Sequence, residues 1–179
     1  MADIDAFAVS LLEQAKRFYE KASAESEGTA KGAYLRASLL LGFCSFEAHI
    51  NAVAEDFVGR SDLSSHECGI LFEKDVRLED GDFVLGGLRM YRMEDRISFL
   101  HKRFSGATID KTSTWWSDLN AAIDLRNKLS HPKQAQAITP PSVEKALRSI
   151  ITAIDALYQA IYKRKFPIAS LGLQSSLTF

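Results

Sequence analysis

Between residues 35 and 57 the apolar side chains Leu35, Leu39, Phe43, Phe46, Ile50, Val53 and Phe57 follow one another at steps of 4, 4, 3, 4, 3 and 4. Such spacing lines residues up only on a helix. Leu40 and Leu41 widen the stripe, so much of the girth of a helix over residues 29–58 must be covered by other elements. Burying each of these side chains contributes roughly 1.5–3 kcal/mol, and the segment is expected to be the central scaffold. Ser45, Glu47 and Asn51 interrupt its apolar surface, and Glu47 and Asn51, four apart, are neighbours on one face. Cys44 is expected as small core filling. His49 and His101 read as surface or boundary residues.

Helices to cover that scaffold are legible on both sides of it. Residues 3–24 carry Ile4, Ala8, Leu11, Ala15, Phe18 and Ala22 in one stripe. A shorter helix over 93–103 turns Ile97, Leu100 and Phe104 inward. Another spans 115–130, with Ser113 or Thr114 available as its cap. The last, over 142–164, follows Pro140-Pro141 and carries Val143, Leu147, Ile150, Ile154, Leu157 and Ile161. Between 59 and 92 the helical period fails. Residues 72–78 alternate with period two, 79–82 form a turn, and 83–85 continue apolar before Gly86-Gly87, which reads as a hairpin insertion over about 70–87. A lone hairpin is marginal in water, so it should pack on the bundle or on a partner chain. The aperiodic tail, 165–179, holds Ile168, Leu171, Leu173, Leu177 and Phe179, and should drape over the bundle or over a second subunit. The expected fold is a single all-α domain over 1–179: an up-and-down bundle of four to five helices with one small β-hairpin.

A chain of 179 residues, 46% hydrophobic, can bury one substantial core. Its net charge of −1 gives no global attraction to nucleic acid, so any such contact must come from local clusters. Arg89, Arg92, Arg96, Lys102 and Arg103 form one, either a track for phosphates or a solvated helix face. No leader pattern opens the chain, no apolar run approaches the ~18 residues of a membrane span, and two cysteines make no disulfide framework. A cytoplasmic protein is expected. His66-x-Cys68 lacks a second ligand pair at zinc spacing. No phosphate-binding glycine loop, paired catalytic carboxylates or serine-nucleophile pattern occurs, and no cofactor is expected. Trp115 and Trp116 cannot both point inward. One belongs to the core, and the other is a subunit contact or a platform for a base.

Asp124-Leu125-Arg126-Asn127-Lys128-Leu129-Ser130-His131-Pro132 closes the 115–130 helix. Its inward stripe is Trp115, Leu119, Ala122, Arg126 and Leu129, so an arginine stands where a core residue belongs. A buried guanidinium costs several kcal/mol unless paired, which calls for an internal carboxylate or a cleft with an anionic visitor. Residues five apart on a helix diverge by roughly 140°. Pro132, however, pushes His131 out of helical geometry and lets it swing toward the same cleft. Asn127 can then hold the imidazole by a side-chain hydrogen bond.

Arg126-Asn127-x-x-x-His131 resembles the R-x4-H motif of HEPN domains, all-α modules found in many metal-independent ribonucleases of toxin–antitoxin, phage-defence and CRISPR systems. The resemblance implies a homodimer with both motifs in one composite cleft, and cleavage of RNA to 2′,3′-cyclic phosphate and 5′-OH ends. It implies His131 as acid–base group, Arg126 as clamp on the developing phosphorane, Asn127 as orienter, and Glu47 beside them. Lys128, Lys133, Arg89, Arg92 and Arg96 become candidate RNA contacts, and an antitoxin or defence complex a candidate partner. Toxins paired with nucleotidyltransferase antitoxins have tyrosine where this chain has Lys133, so control through that tyrosine is not expected. Two other readings stand beside the enzyme: a non-catalytic HEPN-like module binding RNA, nucleotide or a protein, and a helical dimer acting only as scaffold. In either, Arg126 is a salt-bridge partner of Glu47 and His131 a helix cap favoured by the dipole.

Overall fold

The computed structural model describes residues 4–57 and 59–179; the expected helix ends at Asp3 and Val58 fall outside them. The chain runs α1 (Ile4–Ala24), α2 (Gly28–Glu55), α3 (Ser65–Leu71), β1 (Lys74–Glu79), β2 (Asp82–Leu88), α4 (Met93–Ser105), α5 (Thr114–Ser130) and α6 (Pro140–Tyr162), followed by a 3₁₀ turn (Ala169–Leu171). It is a helical bundle with a two-stranded antiparallel insertion.

The stripe of α2 is inside as its spacing requires: Leu35, Leu39, Phe43, Phe46, Ile50 and Val53 are buried, and so is Phe57, two residues past the helix end. Glu27 starts this helix by accepting from the Thr29 and Ala30 amides. Hydroxyls fix its pairing with α1: Ser38 Oγ donates to Ala15 O and Ser45 Oγ to Ala8 O, each at 2.8 Å, which sets the two helices antiparallel. The scaffold role is shared with α6, which touches α1, α2, α4 and α5. The α2–α6 crossing is close enough that a Cβ on Gly42 would stand 2.8 Å from Leu147 Cδ2. By length and composition α2 passes as a membrane span, against the expectation from its sequence; two thirds of that window (67%) is buried inside the bundle.

Three local expectations are corrected. Cys44 is exposed, because it lies about 100° round the helix from Phe43 and off the stripe. Leu40 is also exposed. His49 is buried, with its ring set edge-on to Tyr158 and Phe166 and its Nδ1 3.8 Å from Asp5 Oδ1. Burial lowers the His49 pKa from 6.5 to about 4, with nearby Asp5 opposing. The folded state therefore favours the neutral ring. Its contribution is complete above pH 6.5 and is lost as pH falls toward 4. Unfolding free energy should fall by about 2 kcal/mol between pH 7 and pH 5 on this account. Urea midpoints of wild type and His49→Phe measure it: the wild type should decline and the variant stay level.

The insertion begins one element earlier than expected. Ser64 and Glu67 form a capping box that starts the seven-residue α3. Asp80 and Gly81, both at positive φ (51° and 94°), make the tight turn between the strands. Val76 pairs with Leu85 and Leu78 with Phe83, and β2 continues through Gly86-Gly87 to Leu88 instead of stopping there. The hairpin packs on α3, leaving Leu78, Phe83 and Leu88 exposed.

The tail does drape over the bundle. Ser176 donates through both its amide and its hydroxyl to Glu13, the Ser175 amide donates to Glu20, and Arg17 donates to the Phe179 carbonyl. Beneath it Lys16, fully buried, pairs with Glu13 at 2.8 Å. Burial alone would raise the Glu13 carboxyl, but the Lys16 ammonium and the Ser176 donors bring it below its ordinary value.

Candidate functional site

Helix α5 presents the motif. Ser113 occupies its N-cap position, yet its hydroxyl donates to Asp110 O and caps nothing. Trp116 and Leu119 anchor the helix in the core, and Trp115 rests half-buried against them. At the other end His131 leaves helical geometry (φ −127°, ψ 64°), as the residue before Pro132 should. Its amide donates to Asn127 O at 2.9 Å. The expected bond from the Asn127 side chain to the imidazole is not formed; the link between the two is through the backbone.

Arg126 is half-buried. Its Nη2 stands 3.6 Å from Glu47 Oε1, close enough for charge attraction but too long for a hydrogen bond. The guanidinium carbon lies 5.3 Å from the centre of the Phe43 ring. The Arg126 Nε is buried without a hydrogen-bond partner among the described residues. Glu47 itself is about half exposed, at 47%, so this pair is neither sealed nor saturated.

Two hollows meet along α5. The first is a cavity of about 220 Å³ between α2, α5 and the segment joining β2 to α4, and Glu47, Arg96, Arg126 and Asn127 are among its walls. The second is a broad groove of about 760 Å³ lined by Asp124, Asn127, Lys128, His131 and Lys133 with neighbouring glutamines. Asn127 belongs to both. Within one chain, then, Arg126 and His131 face adjoining spaces and not a common one. Lys128 and Lys133 do share the groove with His131, and both are exposed.

Arg96 departs from the expected RNA track. It is 5% exposed, donates to Asn51 Oδ1 and Leu71 O at 2.9 Å each, and pairs with Glu73 at 3.1 Å. Burial lowers its pKa, against the opposing charges of Glu73 and Glu47. Glu73 adopts φ +51°, a costly conformation for a residue with a Cβ. There its carboxylate meets Arg96 and accepts the Tyr91 amide. Arg103 is likewise engaged, by Glu67 and Asp62, and His101 Nδ1 lies 2.9 Å from Ala107 O. Arg89 stays exposed near Asp75 and over the Tyr91 ring. Arg92, exposed, stands on the cavity wall. The basic track is thus broken in its middle; Lys128 and Lys133 line the groove of His131 and Arg92 the cavity of Arg126.

His66 packs edge-on to Phe83, and no cluster of three His, Cys, Asp or Glu suited to a metal occurs among the described residues. A scan of family models and searches of curated proteins and of solved structures give no match to this chain.

Proposed function

We propose that the protein is a metal-independent endoribonuclease of HEPN type, acting as a homodimer on tRNA or mRNA as a toxin or phage-defence effector. The observation that carries this reading is the open groove holding His131 with Lys128 and Lys133, joined through Asn127 to the cavity of Arg126. Exposed lysines hold the phosphate backbone. Imidazole titrates near neutrality and can take the 2′-OH proton, while a second His131 from the partner copy protonates the departing 5′-oxygen. The 2′-oxygen then bonds to phosphorus as the P–O5′ bond breaks, leaving a 2′,3′-cyclic phosphate and a 5′-OH. Arg126, part-exposed, supplies permanent positive charge for the phosphorane. Because Arg126 and His131 of one chain face different hollows, the reading requires the second chain.

A non-catalytic helical module binding RNA, nucleotide or a partner protein is favoured instead by the position of Arg126 beside Glu47 and over Phe43, a setting that also suits a structural cation. Expression of wild type and His131→Ala in a host cell separates the two. The nuclease reading expects growth arrest and new cyclic-phosphate RNA ends with wild type only. Arrest by both proteins, or by neither, favours the module.

A further inference from the structure

We propose that the outer face of α2, with the flank of α1 beside it, is covered by a second copy of this chain, packed antiparallel so that Arg36 of each copy meets Glu47 of the other. Toward solvent α2 turns Ala33, Leu40 and Cys44, all exposed, with Ala37 and Leu41 half-buried among them. Leu41 and Ala48 join Ile4, Ala8 and Leu11 of α1 in a second, smaller apolar cluster. Phe7, three residues after Ile4 and four before Leu11, extends that cluster outward and is 57% exposed. From Ala33 to Asn51 the strip is roughly 27 Å long. Two helices wide, it is of the order of the ~800 Å² that each partner of a stable dimer buries.

Charge identifies the occupant. No charged residue stands on α2 between Arg36 and Glu47, and these two are eleven residues apart. That spacing returns to nearly the same side of a helix after about three turns. Both are exposed, and Arg36 makes no ion pair among the described residues; it folds back along α2, where its Nη1 would stand 3.3 Å from a Cβ on Gly32. A two-fold contact sets residue i of one copy beside residue j of the other, and j beside i. With the axis passing between Leu41 and Gly42, midway between the two charges, antiparallel copies of α2 bring each Arg36 to the other's Glu47 and lay the apolar residues against one another. Helices that lie on a membrane carry lysines and arginines along their polar face; this strip is bounded by one cation and one anion.

The contact also acts on the candidate site. Within one chain Glu47 lies 3.6 Å from Arg126, too far for a hydrogen bond. The partner's Arg36 draws that carboxylate away and leaves the charge of Arg126 uncompensated. Arg126 lies over Phe43, next to the axis, so both copies of α5 border the contact. That this frees Arg126 for a phosphate rests on the ribonuclease reading; the interface does not.

Sedimentation of the full-length protein over a range of concentrations tests the interface, and a dimer is expected. Leu40→Glu should weaken it about 100-fold or more, since a carboxylate would be buried in each copy. Arg36→Glu and Glu47→Arg should each weaken it about tenfold or more by setting like charges together. A chain carrying both reversals should dimerise again, which a variant that merely misfolds would not do. Leu78→Glu, on the exposed hairpin, should leave association unchanged. In a Cys68→Ser chain, whose one remaining thiol is Cys44, a short bismaleimide should join two copies. A monomer at every concentration, a dimer indifferent to Leu40→Glu, a double reversal that fails to restore association, or a dimer lost in Leu78→Glu overturns the interface. A monomer that binds phosphatidylcholine–phosphatidylserine vesicles through Leu40 gives the face to a membrane and overturns it likewise. The two readings fail separately. A dimer held through α2 that never cuts RNA removes the nuclease and keeps the interface, and RNA cutting by a protein whose dimer survives Leu40→Glu does the reverse.

Discussion

His131→Ala should lower RNA cleavage by about 10²–10⁴-fold, the usual contribution of a positioned acid–base group, while leaving stability within about 0.5 kcal/mol. The second half of that expectation follows from its surroundings. The side chain is exposed, makes no hydrogen bond among the described residues, and is tied to the fold only by its amide. Arg126→Ala should cost about 10²–10³-fold in cleavage through loss of charge on the phosphorane. Its cost in stability should stay near 1 kcal/mol, because the Glu47 it leaves behind is half exposed and can hydrate. Arg126→Lys should not restore activity, since an ammonium lacks the planar fork of donors. Single-turnover cleavage rates together with urea midpoints read both quantities. If Arg126→Ala costs several kcal/mol, the arginine is structural and the salt-bridge reading replaces the catalytic one.

Arg96→Ala should give the largest loss of stability of any arginine substitution, about 3–5 kcal/mol, as expected when one member of a buried ion pair is removed. Three groups lose their partner together: the Asn51 amide oxygen, the Leu71 carbonyl at the end of α3, and the Glu73 carboxylate. Those groups join α2 to the insertion, so the loss should also free the hairpin. Amide exchange in β1 and β2 should speed up more than in α6. Arg92→Ala, on the same cavity wall but exposed, should change stability by no more than about 0.5 kcal/mol. Equal midpoints for the two variants would mean that the buried guanidinium does not hold the insertion to the bundle.

Much of this architecture is legible in the chain because it is written in long periods. Six residues at regular steps, Leu35 to Val53, identify α2 and its buried side without ambiguity, and the α6 stripe does the same. What escaped is short or depends on partners far away in sequence. The α3 helix has a readable start in Ser64 and Glu67, but only a few apolar residues follow, too few to show a period. Lys16 and His49 are polar side chains whose burial depends on distant partners: the Glu13 that pairs with Lys16 is held by a tail about 160 residues later, and His49 lies against the rings of Tyr158 and Phe166. Arg96 reads as one of five clustered cations, and nothing in its neighbourhood announces that Asn51 and Glu73 will enclose it. The closeness of Arg126 to Glu47 joins two helices distant in sequence, while for the motif the helix end and the break before Pro132 follow from local rules. The division of Arg126 and His131 between adjoining hollows does not, because it depends on where the β2–α4 segment closes over α2.

On the proposed ribonuclease reading, His131 and Arg126 cut RNA by transesterification without a metal. Purified wild-type protein incubated with RNA in excess EDTA, with both product ends identified chemically, tests it most directly. Cleavage that yields 2′,3′-cyclic phosphate and 5′-OH ends is expected. Intact RNA, or cutting that needs magnesium and leaves 5′-phosphates, would contradict it.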